Sequence, residues 1–209
     1  MNSLETKKNA SLRFILIDFT PLALRIQEGK INPLAKRYSL PYNSNMPILS
    51  SNTVEFISHS PEQTRRLGLR LGSLLNVGDL LCLSGEMGAG KTTFVQGLAQ
   101  GWGSVDGVSS PTYVIVNNYR NPVGVVLHHL DCYRLLSSAE AWDLDLEMMQ
   151  EQGAMVVEWP DKIRDVLPAD NIWVEINWVD EEKRKFMFHA TGKHYEDLLT
   201  TFRRSAFGG

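Results

Sequence analysis

The sequence predicts an α/β protein built on a mixed parallel and antiparallel sheet flanked by helices, and three observations carry that prediction. A short apolar run at residues 80–84 enters a glycine-rich turn. The chain leaves that turn in a stretch whose apolar residues Phe94, Val95, Leu98, Ala99 and Trp102 recur at helical spacing, giving strand, loop and helix in succession. Two β-rich runs, residues 113–119 and 123–130, are separated only by Arg120-Asn121-Pro122. So short a link forces antiparallel pairing, because parallel neighbours need a crossover of a dozen or more residues. A third buried-strand run, residues 154–157, then follows a helical stretch and closes on Glu158-Trp159-Pro160.

The remaining elements follow in order. Ser60-Pro61-Glu62-Gln63 reads as a helix start: Ser60 can cap, Pro61 suits the first helical position, and Gln63 completes a capping box. Leu67, Leu71, Leu74 and Leu75 mark that helix's buried face, and Asn76-Val77-Gly78-Asp79 turns the chain into the strand that feeds the glycine-rich loop. Gly101, Gly103 and Gly107 are read as ending the helix after the loop. A helix is expected over residues 138–150, capped by Ser137 or Ser138, with Gly153 closing the region. Residues 172–179 and 185–191 flank the charged Asp180-Glu181-Glu182 turn as a second hairpin, and residues 195–202 read as a short terminal helix.

With 209 residues and 43% hydrophobic content, the chain suits one well-buried core and an appendage. No uninterrupted apolar run approaches the roughly 20 residues of a bilayer-spanning helix, so no membrane partner is expected. Cys82 and Cys132 form no C-x-x-C pair, which predicts a reducing compartment. The net charge of −3 argues against a broad basic surface for direct duplex binding. The charge is uneven: residues 1–50 carry seven basic side chains against three acidic ones, leaving 14 against 21 for the rest. Residues 1–50 are therefore read as a separate N-terminal extension, and residues 51–209 as the main domain. A targeting peptide, an accessory arm and a true start at Met46 compete for the extension. A cytoplasmic location is expected, with an organellar one left open by the basic extension.

The run Gly85-Glu86-Met87-Gly88-Ala89-Gly90-Lys91-Thr92-Thr93 satisfies the pattern G-x-x-x-x-G-K-[ST] between a strand and a helix. Its glycines let backbone N–H groups turn toward phosphate oxygens, and the helix N-terminus adds partial positive charge. ATP or GTP binding is the expectation, with Lys91 reaching the β- and γ-phosphates and the Thr92 hydroxyl binding Mg²⁺. Hydrolysis also needs an acid near the metal and a group that orients water. Asp131 and Glu158 end two strands and would face the nucleotide if those strands run parallel to residues 80–84. For each alone, a solvated turn residue or helix cap is the competing reading. Ser110-Pro111-Thr112 is a candidate switch element or a plain loop-to-strand turn. His129 is a catalytic or signalling candidate or a packed histidine. Arg134 is placed to contact phosphate or to pair with Asp131 or Glu140, and Trp159 to stack, gate or fill core.

Taken together, residues 85–93, Ser110-Pro111-Thr112-Tyr113, His129-Leu130-Asp131-Cys132-Tyr133-Arg134-Leu135 and Glu158-Trp159-Pro160 resemble the TsaE (formerly YjeE) family of P-loop ATPases, over roughly residues 52–192. The resemblance implies a P-loop NTPase fold and a role in threonylcarbamoyl modification of the adenosine beside the anticodon of ANN-decoding tRNAs. It implies ATP and Mg²⁺ as cofactors and the TsaB and TsaD proteins as partners, with tRNA reached through the complex. By the same resemblance Thr92 and Glu158 hold Mg²⁺, Asp131 supports hydrolysis, and residues 110–112 and 129–134, Tyr133 among them, form nucleotide-sensing segments. Thr64 falls where the family has a threonine near the base. Met87 stands in place of the commoner leucine, and Leu130 and Cys132 are conservative variants; residues 1–50 lie outside the family pattern. A small-molecule kinase and a non-catalytic nucleotide-binding module are the rival functions, although no arginine-bearing lid of the kinase kind is evident.

Overall fold

The computed structural model describes residues 52–108 and 115–207. The expectations for residues 1–50 and for Ser110, Pro111 and Thr112 lie outside the described residues. Among the described residues seven strands form one sheet: β1 (Thr53–Ser58), β2 (Leu80–Ser84), β3 (Val116–Arg120), β4 (Val126–Asp131), β5 (Gly153–Glu158), β6 (Asn171–Trp178) and β7 (Arg184–Thr191). Their spatial order is β1-β7-β6-β2-β5-β4-β3. The central strands β6, β2, β5 and β4 are mutually parallel, while β3 on β4, β7 on β6 and β1 on β7 are antiparallel. The sheet is thus mixed, as the short links at residues 120–122 and 180–182 require.

β2 is apolar from Leu80 to Leu83, all fully buried, because both its faces are covered. Leu81 and Leu83 join the larger core, under helices α1 (Pro61–Gly72), α2 (Lys91–Trp102) and α4 (Lys193–Phe207); Leu80 and Cys82 join a smaller core on the opposite face with Leu130, Met155 and Val157. Tyr195, Leu198, Leu199 and Phe202 give α4 one buried stripe at helical spacing, and this helix is longer at both ends than the sequence predicts. Cys82 and Cys132 are free and fully buried, and burial pushes each thiol up to about 12. That shift disfavours the thiolate at both positions.

Local signals hold with instructive departures. Ser60 caps α1 by accepting from Gln63 N at 3.2 Å, but Gln63 Oε1 accepts from His59 N at 2.8 Å, one residue before the position the capping box predicts. Gly101 does not end α2. It lies inside the helix, where a Cβ would stand 2.1 Å from the Leu69 carbonyl oxygen, and Gly97 stands equally close to α1; Gly103, at φ 83°, is the residue that ends α2. The helix expected over residues 138–150 is two elements: a 3₁₀ helix (Ser138–Leu144) and α3 (Leu146–Gln152), separated by Asp145 at φ 50°. Asp145 caps α3 by accepting from Met148 N, whereas Ser137 makes no side-chain capping bond and the Ser138 hydroxyl bonds Asp165 instead. Among the described residues, no helix is long and apolar enough to cross a membrane.

Candidate functional site

Parallel pairing of β2, β5 and β4 carries their C-terminal ends to one edge of the sheet. Asp131 pairs in register with Glu158, and Glu158 with Leu83, just before the loop that joins β2 to α2. This satisfies the condition under which both carboxylates face the loop. They border a cleft of about 490 Å³ together with Gly88, Gly90, Lys91 and Thr92. A hollow of about 540 Å³ beside Arg164, Asn171 and Trp173 lies apart from these residues.

The loop is shaped by its glycines. Gly88 and Gly90 have φ of 77° and 103°, in the left-handed region, and a Cβ on either would meet nothing within 4 Å. The floor of the cleft is therefore bare backbone with room for a group that a side chain would displace. Gly90 is also the N-cap of α2 and offers it no side-chain bond, so the first-turn N–H groups, which have no intrahelical acceptor, face an anion-binding position. Gly85 is needed for another reason: its Cβ would stand 2.3 Å from the Ile176 carbonyl oxygen. Ala89 is fully buried beneath the loop, and the exposed Met87 stands at its rim.

Lys91 is nearly buried, its Nζ donating to the carbonyls of Gly85 at 2.8 Å and Glu86 at 2.9 Å and lying 4.0 Å from the Trp159 ring centroid. Burial lowers its pKa, while Glu158 and Asp131 oppose that shift. The Trp159 backbone occupies the left-handed region at φ 59°, which costs a bulky residue about 1–2 kcal/mol. That conformation follows directly on Glu158, and the indole packs on both the Lys91 ammonium and the Tyr133 ring, 5.0 Å away.

The carboxylates have different surroundings. Glu158 Oε1 accepts from the Thr92 hydroxyl at 3.1 Å and lies 3.0 Å from His129 Nε2. Asp131 Oδ1 accepts from Tyr133 N at 3.0 Å, so it is a turn residue and a cleft residue at once. Thr92 and Glu158 form an oxygen-only donor pair of the kind a hard dication uses alongside ligand phosphates and water. No group of three or more His, Cys, Asp or Glu residues suited to a metal occurs among the described residues.

The structure thus brings Lys91, Thr92, Thr93, Asp131, Tyr133, Arg134, Glu158 and Trp159 to one cleft. His129 lies behind it, fully buried. Thr64 is elsewhere, buried in α1 with its hydroxyl 2.8 Å from Ser58 Oγ, and is not among the residues lining the cleft. Sequence reasoning missed two residues. Trp178, at the end of β6, donates from Nε1 to the Gly88 carbonyl at 3.3 Å and braces the loop; no local signal marks it. Tyr119 touches His129 across the β3–β4 pair, and only their shared face in the predicted hairpin hints at it.

The sheet order, the glycine loop between β2 and α2, and the carboxylates at neighbouring strand ends define an α/β protein of the P-loop class. The family model described as "Threonylcarbamoyl adenosine biosynthesis protein TsaE" matches residues 58–186. The tRNA threonylcarbamoyladenosine biosynthesis protein TsaE of Bacillus subtilis is 36% identical over 145 residues, covering 69% of this chain and 90% of that protein. The protein of the same name from Streptomyces coelicolor is 43% identical over 115 residues, covering 54% and 78%. The crystal structure of Bacillus subtilis YdiB matches with a TM-score of 0.61 at 30% identity, over 73% of this chain and 95% of that one. The chain belongs to the TsaE family of tRNA threonylcarbamoyladenosine biosynthesis proteins.

Proposed function

We propose that this chain binds Mg²⁺–ATP in the cleft at the ends of β2, β4 and β5 and hydrolyses it slowly, driving a cycle of an assembly with TsaB and TsaD that modifies ANN-decoding tRNA. The observation that carries this reading is the convergence of an open left-handed glycine loop, one lysine, one threonine hydroxyl and two strand-end carboxylates in a single cleft. The ammonium of Lys91 exchanges its two loop carbonyls for β- and γ-phosphate oxygens, and the amides at the start of α2 bind the remaining phosphate charge. Thr92 and Glu158 would hold Mg²⁺, which when bound neutralises charge on the phosphates. Asp131 stands beside Glu158 and orients the attacking water. Tyr133 and Arg134 follow Asp131 by two and three residues and line the same cleft, which suits them to report the nucleotide to a partner.

Membership of the TsaE family favours a tRNA-modifying assembly over a kinase. The test is steady-state phosphate release by the full chain, alone and with the cognate TsaB and TsaD proteins, alongside threonylcarbamoyl incorporation into ANN-decoding tRNA. Stimulation of at least roughly tenfold, about 1.4 kcal/mol of barrier, is expected. No stimulation, together with undiminished multi-turnover modification when the chain is left out, refutes the proposal.

A further inference from the structure

Four side chains from three strands and a helix form one chain of hydrogen bonds behind the cleft. Thr92 Oγ1 donates to Glu158 Oε1 at 3.1 Å, His129 Nε2 lies 3.0 Å from that same oxygen, and the Tyr119 hydroxyl lies 3.2 Å from His129 Nδ1. His129 is fully buried, and Tyr119 and Glu158 are each 3% exposed. The sheet register makes this possible: Tyr119 and His129 are diagonal neighbours on the antiparallel β3–β4 pair, and Glu158 pairs with Asp131, two residues beyond His129 on β4.

The chemistry fixes the direction of the bonds into the carboxylate and, for a neutral ring, of the bond to Tyr119. A carboxylate oxygen only accepts, so His129 Nε2 must carry the proton that faces Glu158. In the neutral ring Nδ1 is then an acceptor, and the Tyr119 O–H is its donor. The opposite tautomer would aim a lone pair at the carboxylate in a site closed to solvent, where an unpaired polar group is costly. Glu158 therefore selects the tautomer, the Tyr119 hydroxyl, which can donate or accept, satisfies the Nδ1 that is left, and the Nε2–H in turn fixes where Glu158 points. Without it the glutamate side chain would have rotamers to choose among, and ordering it would fall to the ligand.

We infer that His129, braced by Tyr119, is a positioning residue: it holds the Glu158 carboxylate against Thr92 in the arrangement that takes the divalent cation accompanying the nucleotide. This rests on the Mg²⁺–ATP reading above and adds to it two residues that touch neither metal nor phosphate. Outer partners of this kind typically govern metal affinity or activity by about 10–100-fold.

Two measurements on the full chain test it. Two-bond ¹H–¹⁵N correlation spectra of the histidines report the tautomer directly; the Nε2–H form is expected for His129 in the wild type and in Tyr119→Phe, because Glu158 accepts from Nε2 in both. Calorimetric titration with a non-hydrolysable ATP analogue, in Mg²⁺ and in EDTA, reports the gain in affinity that the metal confers. His129→Leu is expected to lose about tenfold or more of that gain with its affinity in EDTA unchanged, and Tyr119→Phe about fivefold. His129→Gln, whose amide can donate toward Glu158, should recover most of the loss. A purely structural role would instead lower both affinities together and would not be rescued by glutamine. Should His129→Leu fail to fold, Tyr119→Phe and the wild-type tautomer decide. An Nδ1–H tautomer in the wild type, or an undiminished Mg²⁺-dependent gain in the variants, overturns the inference. A wild type that binds the analogue equally well in Mg²⁺ and EDTA refutes the metal reading of the cleft itself, and this inference with it.

Discussion

Replacing Lys91 by methionine isolates the charge in the cleft, because methionine keeps most of the apolar stem that packs beside Trp159 and removes only the ammonium. In the structure that ammonium donates to two loop carbonyls, at 2.8 and 2.9 Å, so binding phosphate exchanges one pair of charge-assisted bonds for another. What the exchange gains is chiefly the attraction between an ammonium and an anionic phosphate. Unit charges about 4 Å apart attract by about 4 kcal/mol at an effective dielectric of 20 and by about 1 kcal/mol in water; a cleft open on one side falls between, near 2 kcal/mol. That is roughly a thirtyfold rise in Kd for ATP. The figure is a lower bound, because Lys91→Met also leaves Glu158 and Asp131 with less compensating charge where the phosphates arrive. Calorimetric titration with Mg²⁺–ATP, with circular dichroism to establish that the variant is folded, makes the measurement. An unchanged Kd in a folded Lys91→Met variant would refute the assignment of this loop to phosphate binding.

Glu158→Ala should weaken the Mg²⁺ dependence of nucleotide binding, whereas Asp131→Ala should keep the nucleotide bound and slow turnover in the assembled complex; wild-type phosphate release by both would remove both carboxylates from the mechanism. Gly97→Ala places a Cβ 2.0 Å from the Arg65 carbonyl oxygen and 2.9 Å from Leu69 N, so α1 and α2 must part, at a cost of about 1–3 kcal/mol read from the urea midpoint. A midpoint equal to the wild type's would show that the two helices are not held this closely in solution. Tyr195→Phe leaves the buried Leu80 N–H, which donates to the Tyr195 hydroxyl at 2.9 Å, without that acceptor, and should cost about 1–3 kcal/mol. Burial pushes the Tyr195 hydroxyl from its ordinary 10.0 to about 12, so its neutral form is favoured in the folded protein. The stability tied to that shift is complete below pH 10.0 and is lost as pH rises toward about 12, and Tyr195→Phe should flatten that part of the alkaline denaturation profile.

The amino-acid sequence by itself determined what depends on neighbours along the chain. Residues 80–102 declare strand, loop and helix because apolar period, glycine placement and the lysine–threonine pair all lie within one short window. The two hairpins are legible because their links are too short for anything else, and Asp131 and Glu158 are recognisable as strand ends because apolar runs stop at them. The family resemblance rests on the same short motifs, and the TsaE family match agrees with it. The tertiary structure decided the rest. Asp145 breaks the predicted helix through a left-handed backbone that no local count of apolar residues reveals. Gly101 looks like a helix terminator until α1 is laid against it. β1 finds its partner β7 more than a hundred residues away, and Trp178 reaches Gly88 across 90. The Tyr119–His129–Glu158–Thr92 chain depends on register between strands and on the packing of α2 over their ends, so its members are strangers in the sequence. Periodicity and turn chemistry are set by a few adjacent residues; which side chains meet across a sheet is set by the best burial of the whole core, and that becomes visible only once the core is assembled.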